Sequence, residues 1–222
     1  MKPIRKLMCA LALCGFAAAA AASPADPKNG VEYLTLPQHQ NTDSGKKVEV
    51  TEFFAYYCPH CNVLEPKLAA WVKKQGAAIA FKRVHVPRDP NVLPQQRLFY
   101  TLEALGLVEQ YHDKVFAAMH TERLRLNRDE LVFDWAEKAG IERTRFIDTY
   151  RSFGVQAKVN RANAMMGAYH IDQWPMIAVD GRFLTSPVQA SEGSRIPGEA
   201  EQQQAMLTVL DHLVAKAKAE KK

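Results

Sequence analysis

Apolar positions recur along this chain with two different periods, and the places where one period gives way to the other divide it. Val48 to Phe54 carries apolar residues on both faces, which predicts a strand covered from both sides, as in an α/β sheet. Val31 to Leu36 predicts a shorter strand before it, after an extended lead-in from Ser23 to Gly30, and Asn41 to Lys47 reads as a polar turn. Beyond Phe54 the period lengthens: Leu64, Leu68, Trp71 and Val72 fall at helical spacing up to Gly76, a C-terminal stop. Pro66 lies inside that helix and is expected to kink it. Ile79 to Val84 then predicts a third strand, and a strand–helix–strand unit of this length argues for a parallel pair with a right-handed crossover.

From Pro87 to about Gly167 only the helical period is present. Leu98, Leu102 and Leu105 form one stripe, and Tyr111, Val115 and Met119 a second. Asn127 is placed to cap a further helix, with Glu130 completing a capping box ahead of Leu131, Trp135 and Ala139. Phe146, Tyr150 and Phe153 follow, then Val155, Val159, Ala162 and Met166. Stripes of this kind describe a small helical core. Strand signals return after Tyr169. Met176–Val179 and Phe183–Thr185 flank Asp180-Gly181-Arg182, a strong hairpin signal. Ser186 to Gly198 reads as loop, and from Ala200 a last helix presents Met206, Leu210, Leu213 and Ala217 on one face. The order ββαβ, helical block, ββα predicts one α/β domain interrupted by an all-helical insertion.

The first residues belong to a different pattern. Lys2, Arg5 and Lys6 precede an apolar run from Leu7 to Phe16 and an alanine run ending at Ala22, the form of a cleaved secretory signal. Leu13 ahead of Cys14 argues against a lipoprotein signal, where a small residue is required. Removing residues 1–22 leaves 200 of the 222 residues and takes away three basic residues and no acid, so the formal charge falls from +5 to +2. That balance implies no nucleic-acid partner. Cys9 and Cys14 leave with the signal, and Cys58 and Cys61 are then the only cysteines. A two-residue loop gains little from a structural disulfide, so an exported chain with this sole pair is expected to use it chemically.

The pair sits where chemistry is favoured. Phe53-Phe54-Ala55-Tyr56-Tyr57 runs into Cys58, which takes an N-cap position with Pro59 at the first helical residue. Unpaired N–H groups and the positive end of the helix dipole favour the Cys58 thiolate, with His60 adding positive charge or a hydrogen bond. A stabilised thiolate makes the disulfide form a strong oxidant, with Cys58 attacked by substrate and Cys61 as resolving partner. A zinc site is the competing reading, but no second C-x-x-C appears, and His39, His85, His112, His120, His170 and His212 are scattered.

Glu52-Phe53-Phe54 followed by Tyr56-Tyr57-Cys58-Pro59-His60-Cys61 resembles the active-site segment of the DsbA family of periplasmic thiol:disulfide oxidoreductases, with coverage from about Val31 to the C-terminus. The resemblance implies a thioredoxin-like fold over residues 23–86 and 168–222, with residues 87–167 as the helical insertion domain. It implies a cis bond at Trp174-Pro175, in a loop that contacts substrate, and a buried Glu52 that transfers the proton of the deeper cysteine. It further implies a monomer with no cofactor beyond the Cys58–Cys61 disulfide, acting on reduced, unfolded exported proteins and reoxidised by a DsbB-like membrane quinone reductase. Two positions depart from the pattern. Arg83, with Lys82 beside it, stands where the family often has a lysine opposite the acid, and Trp174 replaces a small or β-branched residue before the proline. Tyr56, Tyr57 and Trp174 are expected to offer an aromatic groove to unfolded chains. The alternatives are a DsbC-type isomerase or reductase, and a chaperone or metal-binding module with a structural disulfide.

Overall fold

The computed structural model describes residues 23–221; the signal segment lies outside them. The described residues form a five-stranded sheet in the order β1-β5-β4-β2-β3, from Leu34–Thr35 (β1), Val48–Phe54 (β2), Ile79–His85 (β3), Met176–Val179 (β4) and Phe183–Thr185 (β5). β2 is central and buried at every position, as its two apolar faces require. It pairs parallel with β3, placing Glu52 opposite Arg83, and antiparallel with β4, placing Glu52 opposite Ile177. The crossover between β2 and β3 is helix α1, Pro59–Gln75, with Pro66 inside it and Gly76 closing it at φ 53°. The all-helical stretch follows as α2 (Leu93–Ala104), α3 (Val108–His120), α4 (Asp129–Lys138), α5 (Arg143–Tyr150) and α6 (Phe153–Ala168). α7 (Pro187–Ser191) and α8 (Glu199–Glu220) complete the chain.

Four local expectations are corrected. Only Leu34–Thr35 of the stretch Val31 to Leu36 is strand, because Val31 and Glu32 are drawn into a turn, both donating N–H to the Lys28 carbonyl. Arg128, not Asn127, precedes α4, and no side chain caps it; Asp129, at the first helical position, accepts the Tyr150 hydroxyl instead (2.6 Å). Phe153 leaves the stripe of Phe146 and Tyr150, because Ser152 caps a new helix there and turns Phe153 to solvent, 87% exposed. Within the predicted loop from Ser186 to Gly198, the Ser186 hydroxyl accepts the Gln189 N–H and starts α7.

Two clusters of buried side chains lie on the sheet. Val48, Val50, Ile177, Val179 and Phe183 pack against Leu64, Leu68 and Trp71 of α1 and against α8. Phe53, Phe54, Tyr56 and Met176 instead join Leu98, Phe99, Phe116, Phe146 and Tyr150 in one cluster running from the sheet into the helices α2–α6.

The predicted hairpin forms between β4 and β5, with Asp180 at φ 52° and Gly181 at φ 65°. Gly181 accepts the Gln40 N–H (2.8 Å), and a Cβ on it would run into the Gln40 carbonyl. Gly181→Ala is therefore expected to lower stability by about 2 kcal/mol, read as a lower urea midpoint at unchanged slope.

Candidate active site

β2 ends at Phe54, and α1 begins four residues after Ala55, at Pro59. Cys58 is the N-cap, in extended conformation (φ −87°, ψ 117°), and its Sγ accepts the Cys61 N–H at 3.3 Å. Both cysteines are free and buried. Their thiols are pulled in opposite directions. The Cys61 thiol hydrogen-bonds to Cys58 and, against burial, with the backbone N–H groups of Cys61 and His60 and the His60 charge, lowers its pKa to about 7. Burial pushes Cys61 well above the usual thiol range, and the hydrogen bond and charge of Cys58 push it further. The helix start thus favours an anion on one sulfur and a proton on the other.

The segment before β4 covers the pair from across the fold. The Trp174–Pro175 bond is cis, and Cys58 Sγ lies 3.7 Å from the Trp174 carbonyl oxygen. The Trp174 ring meets Tyr57 edge-on, centroids 6.0 Å apart, and Arg88 lies over the Tyr57 ring. These two partly buried rings flank the dithiol. Tyr56 does not join them. Contrary to the expected three-ring groove, Tyr56 is fully buried in the core beside Phe54 and Phe116, so it has no surface to offer a peptide.

His60 projects to the surface, with Nδ1 2.8 Å from Glu199 Oε1 in the first turn of α8. That hydrogen bond raises its pKa and so favours the imidazolium one residue before Cys61. Glu52 is buried on the α1 side of β2, and its charge reaches both sulfurs. Arg83, not Lys82, is its partner, with Nε 3.2 Å from Glu52 Oε2; Lys82 turns away to Asp43 and Glu49. Burial and the nearby Glu65 charge outweigh Arg83 and push Glu52 up to about 8.

Sequence reasoning misses several residues around the site. Glu65 follows Cys61 by one helical turn on the apolar face of α1, and Arg83 Nη2 donates to its Oε1 at 2.6 Å. A charge on that face was the available clue. Tyr56 is gripped by three histidines distant in sequence. Its N–H donates to His85 Nε2 (3.1 Å), its carbonyl meets His120 Nε2 (2.8 Å), and its hydroxyl meets His112 Nδ1 (2.9 Å). Burial holds His85 neutral, its pKa pushed down to about 3, as accepting that N–H requires. Nothing in the sequence pairs these residues.

Residues 49–204 match a family described as the DSBA-like thioredoxin domain. The chain is 39% identical to the thiol:disulfide interchange protein DsbA of Burkholderia cepacia, over 98% of this chain and 100% of the relative. It is 40% identical to the protein of the same name in Bordetella parapertussis, over 81% of this chain and 86% of that one. Among solved structures, Pseudomonas aeruginosa DsbA superposes with a TM-score of 0.79 at 28% identity, covering 88% of this chain and 96% of the other.

Proposed function

Since the chain belongs to the DsbA family of thiol:disulfide interchange proteins, we propose that it oxidises thiol pairs in exported proteins through Cys58 and Cys61. A substrate thiolate attacks Cys58 Sγ of the Cys58–Cys61 disulfide; that bond breaks, and Cys61 leaves as a thiolate that takes a proton. The second substrate thiolate then attacks the substrate sulfur of the mixed disulfide. Cys58 departs as a thiolate, and two electrons have passed from substrate to enzyme. The opposed pKa shifts of the two sulfurs carry this reading, because they make Cys58 the better leaving group and Cys61 the sulfur that keeps its proton.

Each further residue has one task in this sequence. Pro59 begins the helix that caps Cys58, and His60, held by Glu199, adds positive charge beside it. Glu52 donates the proton that Cys61 takes on leaving. The segment Trp174-Pro175 and the ring of Tyr57 receive the substrate chain. The site of action is the periplasm, and the reoxidant a DsbB-like membrane quinone reductase.

A redox titration against glutathione tests the reading, together with the pH dependence of stability. The expected potential is that of an oxidant, well above the range below about −300 mV typical of structural disulfides. A potential within that range would overturn the reading. The Cys58 thiol has a lower pKa folded than unfolded, so its contribution is fully present above pH 9 and lost as pH falls through 7. The reduced form should gain stability relative to the oxidised form as pH rises from 7 to 9, since only the reduced form carries the thiol.

A further inference from the structure

Beneath the dithiol, two carboxylates share one guanidinium. Arg83 lies 3.2 Å from Glu52 through Nε and 2.6 Å from Glu65 through Nη2, and all three side chains are buried or nearly so. One cation cannot hold two buried carboxylates ionised without large cost, so one of them retains a proton. The geometry around the pair decides which.

Glu65 is approached at both oxygens, by one hydrogen bond and one longer contact. Arg83 serves Oε1, and His112 Nε2 stands 3.3 Å from Oε2. The other nitrogen of that ring, Nδ1, meets the Tyr56 hydroxyl at 2.9 Å. When Tyr56 donates its proton to Nδ1, the ring's own proton is on Nε2, facing Glu65. Among the described residues neither Glu52 oxygen makes a hydrogen bond, and neither does Glu65 Oε2; what sets Glu65 apart is the Arg83 hydrogen bond at Oε1 and the His112 ring 3.3 Å from Oε2. We propose that His112 is a positioning residue for the exchangeable proton: fixed in one tautomer by Tyr56, it keeps Glu65 ionised against Arg83 and leaves Glu52 as the protonated carboxyl beneath Cys61.

The rest of the surroundings agree. The titratable groups facing His112 are Glu65 from α1, Tyr56 from the loop before Cys58 and His85 from β3; Glu109 and Asp113 on its own helix are exposed, Glu109 lying 4.0 Å from Arg83. Phe54 and Phe116 pack edge-on against the ring, each with centroids 5.1 Å away. Glu65 is held low despite its burial, by His112 and Arg83, while Glu52 is pushed up. The consequence for the reaction is directional. The acid that must protonate departing Cys61 is loaded before the substrate arrives.

This inference rests on the reading of Glu52 as proton donor, and its test does not depend on activity. The infrared band of a protonated carboxyl is recorded for the reduced protein near neutral pH. In the otherwise unaltered protein, Glu52→Asp keeps both acids and should move the band to a new frequency, and Glu65→Asp should leave it in place. His112→Phe fills the same aromatic space without donating to Glu65. In that background the pattern should reverse, Glu65→Asp moving the band, and the pH at which Glu52 titrates should fall by about one unit. Tyr56→Phe keeps the ring but frees the tautomer, and should move the Glu52 titration the same way by a smaller amount; it serves if His112→Phe does not fold. The proposal is overturned if Glu65→Asp moves the band in the unaltered protein, or if neither His112→Phe nor Tyr56→Phe moves the Glu52 titration. Absence of disulfide exchange in the unaltered protein would instead reject the proposed function, whatever the infrared pattern shows.

Discussion

Cys58→Ser is expected to abolish thiol–disulfide exchange outright, with no residual turnover to measure, whereas Cys61→Ser should retain the first chemical step. A hydroxyl in place of Cys58 cannot form the mixed disulfide and is not ionised at neutral pH. Serine at position 61 leaves Cys58 Sγ at the helix start, still facing the N–H of residue 61. That variant should react with a disulfide probe and stop there, since nothing remains to displace the bound group. The two single variants therefore separate the roles. Mass spectrometry after exposure to oxidised glutathione should find one adduct on Cys61→Ser and none on Cys58→Ser. Alkylation of Cys58 in the reduced protein should rise with pH and level off above about 7, the value to which the site lowers this thiol. A Cys58→Ser protein that still captured glutathione would reverse the assignment of attacking and resolving sulfurs.

Arg83→Met is expected to cost roughly 3–5 kcal/mol, the loss that follows when one partner of a buried ion pair is removed and the other stays behind. Here two carboxylates stay behind. Glu52 and Glu65 both lie within 3.2 Å of the guanidinium, which also packs over the Phe81 ring at 4.8 Å. Methionine restores most of the volume, so the loss reports charge more than packing. The pH dependence has a fixed sign. Without the cation both carboxyls have folded pKa values above their unfolded ones, so the deficit is smallest below the unfolded carboxylate range and grows as pH rises. Adding Glu65→Gln to Arg83→Met should recover part of the loss, because the carboxylate that stays ionised is then gone. Chemical denaturation at pH 5 and pH 8 reads both effects; equal losses at the two pH values would show that the guanidinium acts by packing alone.

What the sequence made legible was what short-range periodicity encodes. β2 and the start and end of α1 fall where apolar spacing, Pro59 and Gly76 place them, and the Asp180-Gly181 turn follows from two residues that tolerate positive φ. The dithiol was legible for the same reason, since cysteine spacing and helix capping are local. The ionic and histidine contacts were not. Glu199 reaches His60 across 139 residues of chain, and His112 reaches Tyr56 across 56. No local rule ties residues that only the packing of α3 and α8 brings together. Phe153 shows the opposite error: helical spacing continued past Tyr150, but the capping hydroxyl of Ser152 restarted the helix and rotated the next position outward.

The buried cluster that runs from Phe54 and Tyr56 into Phe99, Phe116 and Tyr150 limits how this protein can be recombined with its relatives. An exchange of the helices between β3 and β4 would be cut at two loops, yet the surface exposed by the cut is the wall behind the reactive sulfurs. Donor helices that supplied a smaller side chain at Phe116, or no ring at His112, would leave a hollow under the loop leading to Cys58. Altering substrate preference by grafting therefore calls for changes on the outer faces of those helices, with the inner faces carried over from the recipient.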